Sequence, residues 1–218
     1  MYINQFELTG TPEFYARDIK NTGEFHYIGD VLAFFPYPPK KDSIPFPKDE
    51  NGPLPITAKG FFHSEEYDEE IVCAECEETF PKTLGVSYVF VTSFHKATTE
   101  HYLTNEKIPA PCNGIIMGDV HSVKTVEGKD RVFYTTRLAV KDTTAELGFS
   151  YITISSLHPF TVDKGDRLCA KGKLVTTGRP LNLMCPTCGR LNIYVNDSII
   201  LHATSVQSLN TLKGYFGD

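Results

Sequence analysis

The chain has 218 residues, 41% apolar, 22% charged and 12% aromatic, a composition that belongs to a globular protein of one or two domains and excludes disorder as the main state. Its net charge of −6 is uneven: residues 1–108 carry 9 Lys and Arg against 18 Asp and Glu, and residues 109–218 carry 12 against 9. An acidic total argues against a histone-like coat for nucleic acid, and the second half is the better place for a local basic groove.

Short β-branched and aromatic runs, punctuated by 16 Gly and 14 Pro, predict an all-β chain with many turns. No apolar run reaches the ~18 residues of a membrane helix. The start Met1-Tyr2-Ile3-Asn4-Gln5-Phe6-Glu7 lacks the features of a signal peptide, so a cytoplasmic protein with no membrane partner is expected. Residues 36–55 hold seven prolines and are expected to form an extended loop, too stiff and polar for a core strand. Lys59, Phe61, Phe62 and Lys82 follow, but the run from Glu65 to Glu70 beside them would repel phosphate; a solvated loop is the plain alternative for that run. The first half is thus expected to keep a shape and lose most binding.

In the second half, strands are predicted at Gly114–Val120, Arg131–Val140 after the turn Glu127-Gly128-Lys129-Asp130, and Phe149–Leu157. Two more follow, Arg167–Thr176 after Asp163-Lys164-Gly165-Asp166, and Ser198–Leu209 after Asn196-Asp197. Five such strands suit a small closed barrel. The tail from Leu212 to Asp218 ends in aromatics and one acid, and fraying is its expected state.

Four of the six cysteines form two pairs, Cys73-Ala74-Glu75-Cys76 and Cys185-Pro186-Thr187-Cys188, with the gap that lets two sulfurs reach one ion. Thioredoxin chemistry is the rival reading, but such a pair normally occurs once, opening a helix. Zinc ribbons place their knuckles ~15–20 residues apart. Here the pairs lie 112 apart, and that interval recurs. Ala58-Lys59-Gly60 and Ala170-Lys171-Gly172 precede the two pairs equally, and Val86–Phe94 aligns with Ser198–Val206, Thr-Ser coinciding. Upstream, Phe6–Gly10 resembles Ile115–Gly118, and Phe25–Ile28 resembles Val132–Thr135. A duplication is the economical account, with domains at 1–108 and 109–218.

If each half is one copy, the simplest site takes Cys73, Cys76, Cys185 and Cys188 as a closed shell around a structural Zn2+, with no position left for water or substrate. Alternatively each pair finds ligands locally or in a second chain, Cys112, Cys169, His95 and His101 being the extras. For Cys112 and Cys169 a small buried hydrophobe is the better reading.

The run Asn113–Val120, Phe133–Val140, Phe149–Ile154, Lys164-Gly165-Asp166-Arg167-Leu168-Cys169-Ala170-Lys171-Gly172-Lys173-Leu174 and Ile199–Leu209 resembles the bacterial single-stranded DNA-binding proteins and the related primosomal protein. The resemblance covers about 95 residues and is best at "KGDRLCAKGKL". It implies tandem oligonucleotide-binding (OB-fold) barrels and a single-strand ligand. The cysteine insertion and the absence of tryptophan depart from the common bacterial pattern; zinc beside such a barrel resembles replication protein A and some phage single-strand binders.

Single-strand binding needs cations for phosphates and aromatic faces for bases. Alternation puts Phe133 and Arg137 on the outer side of one strand, with Tyr151 outward on the next. Lys171 and Lys173 share a face of the fourth strand, and Arg179 and Arg190 flank the cysteine loop. An aromatic in a β protein is more often core, and a lone lysine is usually only solvated. No phosphate loop, nucleophile elbow or deaminase motif is present, so a non-enzyme is expected. The leading reading is a single-stranded DNA (or RNA) binder, phage- or mobile-element-encoded, acting in a bacterial cell or infected host with replication or recombination proteins, a homo-oligomer being compatible. The alternative is a tandem-barrel interaction subunit of a replication or transcription assembly.

Overall fold

The computed structural model describes residues 3–18, 20–98, 112–127 and 132–209, with only the backbone of Val126, Glu127, Arg179, Pro180, Val195 and Asp197. The first half holds β1 (Ile3–Gly10), β2 (Pro12–Arg17), β3 (Gly23–Ile28), β4 (Val31–Pro36), β5 (Lys48–Asp49), β6 (Gly52–Pro53), β7 (Ile56–Val72) and β8 (Thr79–Lys96). The second holds β9 (Asn113–Glu127), β10 (Val132–Lys141), β11 (Phe149–Ser156), β12 (Arg167–Met184) and β13 (Leu191–Ser208). The all-β class is as expected, and no helix among the described residues is long and apolar enough to cross a membrane.

In the second half the hydrogen bonding returns on itself. The strand β9 pairs with β12 along its first part and with β10 along its second. Strands β10 and β11 are antiparallel, β11 runs parallel to β13, and β13 returns antiparallel to β12. The first half repeats this circuit, except that β1 and β2, separated by Thr11, share the part that β9 plays alone: β1 pairs with β7, and β2 with β3. From there β3 pairs with β4, β4 runs parallel to β8, and β8 returns to β7. An antiparallel β1–β9 ladder, Ile3 opposite Met117 to Glu7 opposite Asn113, joins the circuits into one 11-stranded sheet.

The repeat is also visible in a defect. Both long hairpins break register before the glycine, between Lys59 and Gly60 and between Lys171 and Gly172. In each case the unpaired residue opposite is the threonine of the Thr-Ser dipeptide, whose hydroxyl donates to the lysine carbonyl: Thr92 to Lys59 at 3.1 Å and Thr204 to Lys171 at 3.2 Å. A bulge bends its strand, and a circuit of five strands needs such bends. Glycine is required there, because a Cβ would lie 2.2 Å from the Phe90 carbonyl oxygen at position 60 and 2.0 Å from that of His202 at position 172. Gly172→Ala is therefore expected to lower stability by roughly 1–3 kcal/mol, read as a lower urea midpoint at unchanged slope. An unchanged midpoint contradicts the packing described.

The inward side chains form one core that spans both halves, including Leu8, Ile28, Phe35 and Phe62 from the first and Ile116, Leu138, Ile154 and Leu201 from the second. Alternation along β10 would put Val132, Tyr134, Leu138 and Val140 inward; Leu138 and Val140 are, but Val132 is exposed and Tyr134 only half-buried, lying beyond the core where β10 begins. Ile152 and Ile154 are fully buried, as alternation requires.

Several expectations are corrected. The pairing Ala33–Val89 in one half corresponds to Ile154–Leu201 in the other, so His26, opposite Ala33, matches Thr136, opposite Ile154. Phe25–Ile28 thus corresponds to 135–138, three residues later than the sequence match suggests. Asn196-Asp197 is not a turn but part of β13, and β12 and β13 extend as a long two-stranded arm to the cysteines. The acidic run from Glu65 to Glu70 lies in β7, not in a loop, paired with β8 from Val86 to Pro81. Within residues 36–55, β5 and β6 form a small hairpin, while Ile44 and Phe46 pack on the core, the Phe46 ring 5.0 Å from Phe35. Proline stiffness keeps the ladder to two residues a strand and does not prevent burial. The 108/109 boundary, the turn at 128–130 and the tail from Leu212 lie outside the described residues.

Candidate metal centre and nucleic-acid interface

Each cysteine pair caps a long hairpin arm, β7–β8 or β12–β13. Both knuckles close alike: Cys73 N donates to Glu78 O at 2.9 Å and Glu77 N to Cys73 O at 3.0 Å, while Cys185 N donates to Arg190 O at 2.8 Å and Gly189 N to Cys185 O at 3.0 Å. The residue after the second cysteine takes positive φ in both, 70° at Gly189 and 59° at Glu77. A glycine is natural there, and Glu77 shows that the knuckle imposes the conformation on a side chain that disfavours it.

The arms lie side by side, so the four sulfurs meet within 4.8 Å of one another. The contacts cross between halves, Cys73 to Cys188 at 3.7 Å and Cys76 to Cys185 at 3.8 Å. A tetrahedron with metal–sulfur bonds of ~2.3 Å has sulfur–sulfur edges of ~3.8 Å, so the thiols already stand at metal-ligating separations. Backbone hydrogen bonds from Cys76 and Glu75 hold the Cys73 thiol down at about 6, and those from Cys188 and then Thr187 lower Cys185. Against backbone hydrogen bonds from Glu78 and Arg190, burial and the neighbouring sulfurs push Cys76 up to about 12 and raise Cys188, so the metal-free site favours two thiolates and a metal would draw the protons from the other two. Asn192 links the knuckles, its Nδ2 donating to Cys73 Sγ at 3.5 Å and its Oδ1 accepting from Ala74 N at 3.0 Å. Beneath them Ile71, Phe80, Leu84 and Leu183 form a small separate core.

The structure therefore assembles the shared set of four, two from each half, and not local sets completed by the extra residues. Cys112 is fully buried, its thiol pushed up to about 12 by burial, and Cys169 is half-buried and raised for the same reason. His95 is exposed and apart from the cluster, and His101 lies outside the described residues.

Of the expected nucleic-acid contacts, Arg137 and Tyr151 are brought together. The Arg137 guanidinium carbon lies 4.9 Å from the Tyr151 ring centroid, on adjacent strands β10 and β11. They line a groove of about 230 Å³ with Ser122, Lys124, Thr135 and Thr153. Phe133 is half-buried on β10 and does not line the groove. Lys171 and Lys173 are on β12 and do not line the groove. Arg190 pairs with Glu75 across the knuckles at 3.6 Å, and the Arg179 side chain lies outside the described residues. Sequence reasoning missed Lys124 and Ser122, because β9 extends seven residues beyond its predicted end at Val120.

A second polar centre joins the halves. Buried His63 on β7 donates from Nδ1 to buried Asp142, just beyond β10, at 2.7 Å. Ser150 donates to the same carboxylate at 2.6 Å, as does Thr144 to its other oxygen at 2.6 Å. Burial alone would lower the His63 pKa, but hydrogen bonds to Asp142 and Glu65 outweigh it and raise it to about 9; Asp142 is correspondingly depressed by His63, Ser150 and Thr144 against its own burial. These histidine and aspartate roles were invisible in the sequence, where His63 reads as isolated.

The chain matches no family model, and no curated protein compared with it is similar.

Proposed function

We propose that the protein is a non-catalytic single-stranded DNA-binding protein, built from two OB-fold barrels clamped at a structural zinc, that protects strands during replication or recombination. One observation carries this reading: Arg137 over Tyr151, beside Lys124, in a polar groove on the β10–β11 face of the closed five-strand circuit. Five strands closed through a parallel β11–β13 pair support the OB-barrel reading, in which β10–β11 would be the face offered to oligonucleotides. Tyr151 would stack an unpaired base, while Lys124 and Arg137 neutralise phosphates. Four thiolates around zinc leave no open position, so the metal would hold the arms and supply no chemistry to a ligand. Ser150 and Thr144 both donate to Asp142, and the Thr144 hydroxyl, 3.0 Å from His63 Nδ1, gives its proton to the carboxylate, so the His63 centre is assigned a structural role and no nucleophile.

Tyr151→Ala is expected to weaken oligo-dT binding by ~1–3 kcal/mol, and Lys124→Ala to flatten the dependence of log K on log salt by about 0.7. Fluorescence titrations between about 50 and 200 mM salt read both. Parental affinity in Tyr151→Ala contradicts the groove assignment. An RNA strand is a variant of the same reading, separated by parallel titration of oligo-rU. The acidic first half favours a second reading, a tandem-barrel interaction subunit of a replication or transcription assembly, which predicts no shift of any oligonucleotide.

A further inference from the structure

The first half carries a groove at the place corresponding to the Arg137–Tyr151 groove, with opposite charge. By strand register, Phe25 and Tyr27 on β3 stand where Thr135 and Arg137 stand on β10. The cleft is about 400 Å³, larger than its counterpart, and Tyr15, Tyr27, Tyr67 and Tyr194 line it. The Tyr15 and Tyr27 rings meet edge to face at 5.3 Å. Tyr67 and Tyr194 come from the two different arms, and both hydroxyls donate to Glu69 Oε2, at 3.1 and 2.9 Å, which fixes the two rings around one carboxylate. The lining acids are Asp18, Glu65 and Glu69 against one cation, Arg17, which itself faces Glu24 at 3.9 Å.

Aromatic faces surrounding carboxylates attract a cation through the ring quadrupole and through direct charge, and the same carboxylates repel a phosphate chain. We propose that this cleft is a docking site for a basic segment of a partner protein, a lysine or arginine side chain entering among the tyrosines toward Glu69. The charge of the cleft is independent of what the second-half groove binds, so the proposal stands or falls separately from the single-strand reading.

The test uses the whole chain and a fluorescein-labelled Arg/Lys-rich dodecapeptide, with an acidic dodecapeptide and oligo-dT as comparison probes. The basic peptide is expected to bind in a salt-sensitive manner, and Glu69→Gln and Tyr27→Leu each to weaken it on the order of tenfold. Glu50→Gln removes the same charge from an exposed turn outside the cleft and is expected to leave binding at the parental level. Absence of peptide binding, or equal losses in Glu50→Gln and Glu69→Gln, overturns the proposal. So does a loss of oligo-dT affinity in Tyr27→Leu with peptide binding intact, which assigns the cleft to the strand.

Discussion

Removing the zinc proposed at the four cysteines with a strong chelator, or replacing Cys73 or Cys185 by serine, is expected to destabilise the whole chain by at least ~4 kcal/mol, roughly 10 °C or more in Tm. The arms end in knuckles whose own hydrophobic support is the small cluster of Ile71, Phe80, Leu84 and Leu183. Without an ion, the two lowered thiols of Cys73 and Cys185 would place negative charge where four sulfurs crowd within 4.8 Å. Structural zinc contributes apparent binding energies of ~10–16 kcal/mol in zinc-finger peptides, and folding draws on it directly. Metal analysis beside thermal unfolding checks this: about one zinc per chain, with Tm falling as it is removed. A chelated protein free of metal with unchanged Tm contradicts the clamp.

Asp142→Ala is expected to cost ~3–5 kcal/mol, because it leaves the buried His63 cation with only the half-exposed Glu65, 3.8 Å away, in place of its close buried partner. The parent should also show a pH signature. Raised from 6.5 to about 9, His63 contributes stability that is fully present below pH 6.5 and lost as pH rises through about 9. Asp142 is depressed from 3.8, so its contribution is present above that value and lost as pH falls through its folded pKa. The two are one interaction seen from both partners and count once. Chemical unfolding from pH 6 to 10 should therefore give a fall for the parent that is absent in the milder Asp142→Asn; parallel profiles contradict the ion pair.

What could be read in advance was whatever depends on spacing along the chain. The cysteine pairs, the 112-residue interval and the glycines at 60 and 172 are local signals whose chemistry hardly depends on the surroundings, and the structure places all of them equivalently. The Phe25–Ile28 match slipped by three residues, because β-strands tolerate similar residues at many registers and only partners such as Ala33–Val89 select one. His63 and Asp142, 79 residues apart, have no local signature, since their burial comes from the meeting of the halves. Charge counting marked the acidic stretch as hostile to phosphate, yet it could not foresee that Glu69 on a strand would gather tyrosines from two arms. Lys171 and Lys173 are absent from the groove lining for the opposite reason: alternation shows that a side chain is outward, not which way the outside faces once the circuit closes.

The single-strand reading is tested most directly by titrating the zinc-loaded chain with oligo-dT and with duplex DNA of equal length at low and moderate salt. Micromolar or tighter binding of oligo-dT, weakening with salt and exceeding that of duplex, is the expected result. No binding of oligo-dT at low salt, or equal preference for the duplex, contradicts it.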